Sequence, residues 1–259
     1  MEAPITSNEN WRAYGGGARL LELVCTGSWT PIQSQSDRSA YRVETRDGSC
    51  FVKYYRPAHW SGVARDFWVH RKPQRAYTLA TQLAEHGIST PRPLALFLSS
   101  SLSGCQALLI TEWIENAVDW RQGLLRLAAE DKGRKRVRAG LGSLAVLLGR
   151  LHRLGYYHGD LVGNLLCAES AAGWSAYLVD LEELHPRLSE RRRVKNLEEL
   201  GRGLLDLHVI SLRERWEFLK VYGGEAGLAA ERCRHLWRHG REVQRRRLAD
   251  HEKRTARFG

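Results

Sequence analysis

Residues 156–166 read YYHGDLVGNLL, and the apolar strand that follows, inside YLVDLEEL, ends on Asp180. A carboxylate at the end of an apolar strand is costly to bury unless a cation faces it. A second acid, Asp160, lies with His158 and Asn164 in the short polar turn just upstream. Whatever fold the chain adopts must therefore bring positive charge to these acids. Two aspartates and an amide are also a suitable ligand set for a small, hard, oxygen-seeking cation.

The rest of the chain supplies a frame for that site. Its 259 residues are 43% hydrophobic, enough for one large domain or two lobes. The formal net charge of +11 points to an anionic partner, leaving open nucleic acid, a membrane surface or a phosphate-rich substrate. The five cysteines are scattered and form no CxxC pair, which argues for a reducing compartment and against a zinc site. The first residues lack a signal-peptide pattern, and stretches such as LGSLAVLLG are too short to span a bilayer. The expectation is a cytoplasmic protein whose membrane contact, if any, is peripheral.

In the first hundred residues LLELVC, AYRVET, CFVKYY and then ALLITEWI read as strands, with Arg46–Gly48 a hairpin turn. RAYTLATQLAEHG reads as a helix stopped by Gly87. Leu141, Leu144, Ala145, Leu148 and Leu151 mark the apolar face of a strong helix that ends at Gly155. NLLCAES and SAYLVDL read as a hairpin, and the chain from Leu197 is helical and strongly basic towards its end. A β-rich lobe, residues 1–114, is thus expected before a helical lobe, residues 115–259, with a ligand cleft at the join.

Phosphoryl transfer from ATP needs a lysine for the phosphates, ligands for magnesium and a carboxylate to accept the hydroxyl proton. Lys53 in CFVKYY, Asp160, Asn164 and Asp180 occur in a suitable order. Taken singly, Lys53 reads as an edge-strand lysine whose head reaches solvent rather than as a ligand, and it is the order of the set that reverses this. The ordered set resembles the protein-kinase-like superfamily. GISTPRPLAL, HGDLVGNLL, LVDLEEL, LSERRRVKNLEELGR and RERWEFLKVY together look like its lipopolysaccharide core kinases, which phosphorylate Kdo or heptose. The resemblance runs from about Tyr41 to Tyr222 and implies an α+β, two-lobed kinase-like fold that uses ATP and Mg2+. It implies Asp160 as general base, Asn164 and Asp180 as magnesium ligands and Lys53 as the phosphate-holding lysine. Backbone groups from Glu112 to Ile114 would meet the adenine, and His158 would brace the loop.

The sequence departs from the pattern in three places. Asn164 follows Asp160 by four residues where the usual spacing is five; the freer backbone of Gly163 could absorb the difference. PIQSQSDRSAY, read as the loop over the phosphates, has no GxGxxG. The helix expected to pair with Lys53 has Arg75, Ala76 and Tyr77 in its first turn and its glutamate, Glu85, at the far end. Lys53 would then use another carboxylate or the phosphates alone. Glu182 reads as a surface or ion-pair carboxylate that could assist the metal, and His152 as a capping or core histidine. Asp119 and Glu115 read as ribose ligands or solvated loop, and Trp113 as a cleft wall or core.

Arg191–Lys195 and the C-terminal basic run are either solvated helix faces or a surface for anionic headgroups and a lipid-linked core oligosaccharide. Nucleic acid is the weaker use of that charge, because no aromatics are interleaved from Arg238 to Arg257. The leading function is transfer of phosphate from ATP to a heptose or Kdo hydroxyl. The alternatives are another small-molecule or protein kinase, or a catalytically weak kinase-like nucleotide-binding scaffold.

Overall fold

The computed structural model describes residue 5 and residues 11–56, 63–101, 104–130, 133–170, 173–206 and 209–258. The chain divides into two compact units, Met1–Glu115 with Val179–Glu182, and Asn116–Leu178 with Glu183–Gly259. The first unit is built on a six-stranded antiparallel sheet. Its strands are β1 (Trp11–Tyr14), β2 (Ser28–Ser34), β3 (Arg38–Thr45), β4 (Gly48–Tyr55), β5 (Pro93–Ser101) and β6 (Gly104–Glu112), in the order β1-β5-β6-β4-β3-β2. Helices α1 (Ala18–Cys25) and α2 (Val63–Glu85) accompany it.

Strand alternation decides what each face does. Cys50, Val52 and Tyr54 of β4 join Trp29, Tyr41, Val43, Phe97, Leu108 and Ile110 in one core, with Leu21 and Val24 of α1 against it. Lys53 and Tyr55 lie on the other face, in register with Ala40 and Arg38 of β3. Leu96, Leu98, Ala107 and Leu109 are buried on that second face, and α2 packs on β5 and β6.

LLELVC, expected as a strand, is helix α1. A short apolar run does not separate the two states by itself. As a helix it buries Leu21 and Val24, one turn apart, and leaves Glu22 exposed. Thr26 then closes it, its hydroxyl donating to the Glu22 carbonyl at 2.9 Å. PIQSQSDRSAY is likewise no loop over its length. β2 runs through Ser34, and only residues 35–37 form the turn, closed by the Gln35 N–H donating to the Arg38 carbonyl at 2.8 Å. The Arg46–Gly48 turn joins β3 and β4 as expected, with Gly48 at φ +122°. The helix expected from Arg75 begins earlier, at Val63, and continues through Pro73 to the Gly87 stop, where φ is +66°.

The second unit contains β7 (Val118–Asp119), α3 (Trp120–Ala128), α4 (Gly133–Arg153), β8 (Tyr157–His158), β9 (Leu165–Ser170) and β10 (Gly173–Leu178). It continues with β11 (Leu184–His185), α5 (Glu190–Asp206), α6 (Leu212–Glu225) and α7 (Ala230–Phe258). β9 and β10 form the expected hairpin, with β7 beside β9, and β8 pairs with β11. The apolar face of α4 packs closely on α6: a Cβ at Gly149 would lie 2.5 Å from the Glu225 Cβ. Asp119 is not a solvated loop residue: its carboxylate caps α3 by accepting from the N–H groups of Arg121 and Gln122. Among the described residues no helix is long and apolar enough to cross a membrane.

Ser211 and Glu214 form a capping box at the start of α6, and Arg134 and Arg138 of α4 both pair with Glu214. Burial alone would raise the Glu214 carboxyl, but the Ser211 hydrogen bonds and the two arginines outweigh it and hold it below the usual range. Removing the cap by Ser211→Ala should cost about 1 kcal/mol, read as a fall in thermal midpoint at pH 7. A depressed carboxylate stabilises the fold above its unfolded pKa and loses that effect as pH falls through the folded value. The difference between wild type and Glu214→Gln should therefore shrink as pH drops below about 4, as denaturant titrations at several pH values would measure.

Candidate active site

β4 presents Lys53 at the second face of the first sheet, and the passing segment Val179–Glu182 supplies its partners. Lys53 Nζ donates to Asp180 Oδ1 at 2.7 Å and to Glu182 Oε1 at 3.1 Å. Glu182 is the more deeply seated acid, its side chain only 1% exposed against 20% for Asp180. Its second oxygen accepts from the Arg38 guanidinium at 3.1 Å, and the buried Tyr55 hydroxyl donates a short bond to Oε1. Lys53, Tyr55 and Arg38 can all reach it because period-two alternation and cross-strand register put them on one face.

Two cations and a phenol thus surround one buried carboxylate, and a second carboxylate shares the lysine. Burial, followed by the neighbouring Glu182 charge, pushes the Tyr55 phenol well above its ordinary value, so it stays a donor. Burial disfavours the Arg38 charge, but Glu182 and Asp180 outweigh that and raise its pKa. Asp180 has φ +54°, a left-handed conformation that aspartate tolerates better than most residues but that still needs tertiary support.

The carboxylate partner missing from α2 is therefore Glu182, two residues beyond Asp180. A surface placement for Glu182 is excluded, and the ion-pair reading holds. Its signal in the sequence was weak, because an acid after a strand end is ordinary. The better clue was Lys53 and Tyr55 two residues apart, which requires an acceptor on that face.

The polar turn belongs to the second unit. Leu161 and Leu165 are buried on either side of a 3-10 turn, Val162–Asn164, which shortens the loop and closes it through the Asn164 N–H donating to the Leu161 carbonyl at 3.1 Å. Gly163 is not in the left-handed region, so its backbone freedom is not what absorbs the missing residue. It supplies space instead: a Cβ there would lie 3.1 Å from Asp160 Oδ2. Asn164 Nδ2 donates to the Asp160 carbonyl at 2.7 Å and to Oδ2 at 3.4 Å. The turn is fixed from outside by Trp120, wholly buried, whose indole N–H donates to the Val162 carbonyl at 3.1 Å.

The turn is also held from below. Asn196 of α5 accepts from the His158 N–H at 3.2 Å and donates to the His158 carbonyl at 2.8 Å, an amide standing in for a strand partner. The Asp160 N–H donates to His158 Nδ1 at 3.2 Å. The same Asn196 oxygen accepts from His152 Nε2 at 3.3 Å, which sets the tautomer and leaves Nδ1 to accept from the Tyr222 hydroxyl at 2.7 Å. Tyr222 in turn accepts from the Arg193 guanidinium at 3.0 Å. Burial, aided by Arg193 and opposed by the Asn196 bond, lowers His152 to about 3. His152 is thus the core histidine of its two readings. Asn196 was not singled out from sequence, although a polar residue four before buried Leu200 on a helix face was the available sign.

The structure groups the expected residues in two sets: Lys53 with Asp180 in the first unit, and Asp160 with Asn164 in the second. Glu112 and Ile114 lie at and just beyond the end of β6. The Glu112 N–H donates to the Arg92 carbonyl, and its carboxylate accepts from the Arg92 N–H, both at 2.9 Å. Glu115 is exposed, and half-buried Trp113 lies under the Arg42 guanidinium, 4.9 Å from ring to charge. Among the described residues no group of three His, Cys, Asp or Glu is arranged to hold a metal. Asp180 in the first unit offers a carboxylate and Asn164 in the second an amide oxygen, and each by itself is an oxygen ligand of the type magnesium takes. Asn164 fits, since its amide nitrogen is committed to Asp160 and its oxygen is left as the ligand atom.

Comparison with known proteins places this geometry. The model of the lipopolysaccharide kinase (Kdo/WaaP) family matches residues 29–222. A 3-deoxy-D-manno-octulosonic acid kinase of Pasteurella multocida (strain Pm70) is 28% identical over 159 residues, 59% of this chain and 63% of that one. The enzyme of the same name from Vibrio vulnificus (strain CMCP6) is 26% identical, over 61% of each chain. The chain thus spans about three-fifths of the length of these relatives. A solved structure of WaaP in complex with acyl carrier protein matches 93% of this chain and 98% of that one, with TM-score 0.63 and 22% identity, which establishes the shared fold. The expected α+β kinase-like fold, sheet first and helices after, is borne out.

Glu182→Ala should destabilise the protein by roughly 2–4 kcal/mol, less than a fully buried pair because Lys53 and Arg38 are partly solvated; Glu182→Gln should recover part of the loss in chemical denaturation. For His152 the folded pKa lies below the unfolded one, so the folded state binds fewer protons between pH 6.5 and about 3. Stability should fall as pH drops through that window, by roughly 1.5–2 kcal/mol between pH 6.5 and 5. The slope should flatten in His152→Gln when wild type and variant are unfolded in parallel.

Proposed function

The chain belongs to the lipopolysaccharide kinase (Kdo/WaaP) family, and from that premise we propose that it transfers the γ-phosphoryl group of ATP to a sugar hydroxyl of the lipopolysaccharide core. The observation that carries the reading is Lys53 held on its strand between Asp180 and buried Glu182. A lysine needed only for solubility would not be surrounded in this way. Glu182, with Arg38 and Tyr55, keeps the ammonium in place independently of Asp180. Asp180 is then the acid that can turn to a cation while the lysine stays on the phosphates.

In this reading Asp180 of the first unit and the amide oxygen of Asn164 of the second would each serve as a magnesium ligand, and the ion when bound would supply neutralisation of phosphate charge. Asp160 accepts the proton of the attacking hydroxyl, its carboxylate aimed by the Asn164 amide and by Gly163, where a side chain would crowd it. Backbone groups from Glu112 to Ile114 receive the adenine. The octulosonic acid kinases among the relatives favour a sugar acid as acceptor over a heptose. The acceptor is lipid-linked, and the charge of +11 with a basic α7 suits a peripheral position on an anionic leaflet. Each basic residue near such a surface adds about 1 kcal/mol. Co-sedimentation with phosphatidylglycerol vesicles should be strong at low salt and lost at high salt; equal binding to neutral vesicles would contradict it.

The deciding experiment supplies purified protein with magnesium-ATP and a lipopolysaccharide core acceptor, and follows transfer of labelled phosphate. Wild type should phosphorylate the core and leave a generic protein acceptor unmodified. Asp160→Asn should lower the rate by on the order of 10²–10⁴-fold with nucleotide affinity unchanged. Nucleotide binding without transfer to any core acceptor would favour a binding scaffold and end the kinase reading.

A further inference from the structure

A cavity of about 1010 Å³ lies wholly inside the second unit, walled by the turn residues Tyr157, His158 and Gly159 and by the first turns of α5. None of the roles assigned above uses it. Its floor is tied to the Asp160 turn, because Asn196, which also lines it, bonds both main-chain groups of His158. Anything seated here lies against the backbone that carries the proposed base.

The charges around the cavity do not cancel. Glu190 is engaged by Arg193 and Arg232, and Glu198 by His239 at 2.8 Å. Lys195 pairs with Glu199 at 3.6 Å. Among the described residues Arg191 and Arg192, both on the wall, have no carboxylate within ion-pair distance. Arg192 is nonetheless placed: its guanidinium lies over the Tyr157 ring at 4.2 Å, and Tyr157 stacks on His185 with centroids 5.2 Å apart. A guanidinium held over an aromatic ring still has N–H groups to offer a planar, two-oxygen ligand. A second arginine beside it, without an acid, makes the pair a receptor for a carboxylate or a phosphate.

We propose that this cavity binds an oxyanion of the acceptor sugar, with Arg191 and Arg192 as its cationic ligands and Tyr157 as the platform that orients Arg192. The assignment of the anion to an acceptor rests on the kinase reading; the presence of an anion site does not. The two sources of the oxyanion, a sugar carboxylate and a phosphate already on the core, are separable by probe.

The test titrates the full chain, without nucleotide, with free 3-deoxy-D-manno-octulosonic acid, with inorganic phosphate and with glucose as an uncharged sugar. Wild type should bind one or both anions and not glucose, and the stronger anion identifies the source. The double variant R191Q/R192Q should weaken that binding at least tenfold, with the thermal midpoint and ATP affinity unchanged. Arg192→Lys, which keeps the charge and loses the planar fork, should lose most of the effect, and Tyr157→Leu part of it. In the transfer assay the double variant should raise the acceptor KM at least tenfold and leave the ATP KM alone. Anion binding that the double variant does not alter, or no anion binding by wild type, overturns the site. Variant-sensitive anion binding in a protein that transfers no phosphate keeps the site and removes the kinase. Transfer with an unaltered acceptor KM in the double variant keeps the kinase and overturns the assignment of the anion to the acceptor.

Discussion

A single buried carboxylate organises the first unit around its chemistry. Glu182 can be buried, with 1% of its side chain exposed, because Lys53, Arg38 and Tyr55 meet it from adjacent strands. That neutralisation fixes the lysine, returns the segment Val179–Glu182 to the sheet and places Asp180 beside the same ammonium. In kinases that use a helix glutamate, the position of the lysine depends on how the helix is docked. Here the partner is on the acid-bearing segment itself, so the lysine and the proposed metal ligand are set by one local structure. The absence of a glutamate early in α2 ceases to be a defect.

The second unit solves a different problem, how to hold a short polar loop without using its acid, Asp160, as the tie. Its means is a hydrogen-bond chain that starts at the Arg193 guanidinium and runs through the uncharged groups of Tyr222, His152 and Asn196 to the main chain of His158. Arg193 only donates, whereas Tyr222, His152 and Asn196 each donate in one direction and accept in the other, which requires an uncharged His152, and burial supplies that. Burial likewise raises Tyr222 to about 12, with Arg193 acting against it, so the phenol also keeps its proton. Trp120 braces the loop from the other side through Val162. The turn carrying Asp160 is therefore held by its main chain, and the carboxylate is left for chemistry.

Much of the fold was legible because it follows from periodicity and from residues with few alternatives. The α4 stripe from Leu141 to Leu151, the β9–β10 hairpin and the Arg46–Gly48 turn are local patterns, and the glycine at 155, with φ +80°, could hardly end a helix otherwise. The misreading of LLELVC came from the one kind of segment for which periodicity gives no answer. Packing of Leu21 and Val24 against Trp29 and Val43 decided it. Likewise, the polar composition of PIQSQSDRSAY said loop, yet pairing with β3 made most of it strand.

By itself the sequence determined the ordered set Lys53, Asp160, Asn164 and Asp180, and with it the family, because motif chemistry is written along the chain. It also determined that the acids needed a cation, since burial energetics hold in any fold. Only tertiary structure decided which carboxylate holds Lys53, since Glu182 and Lys53 are 129 residues apart. It alone brought Asn196 under His158 and left Arg191 and Arg192, among the described residues, without acids around a cavity. Those are contacts between distant positions, and an unaligned chain records the partners without recording the pairing.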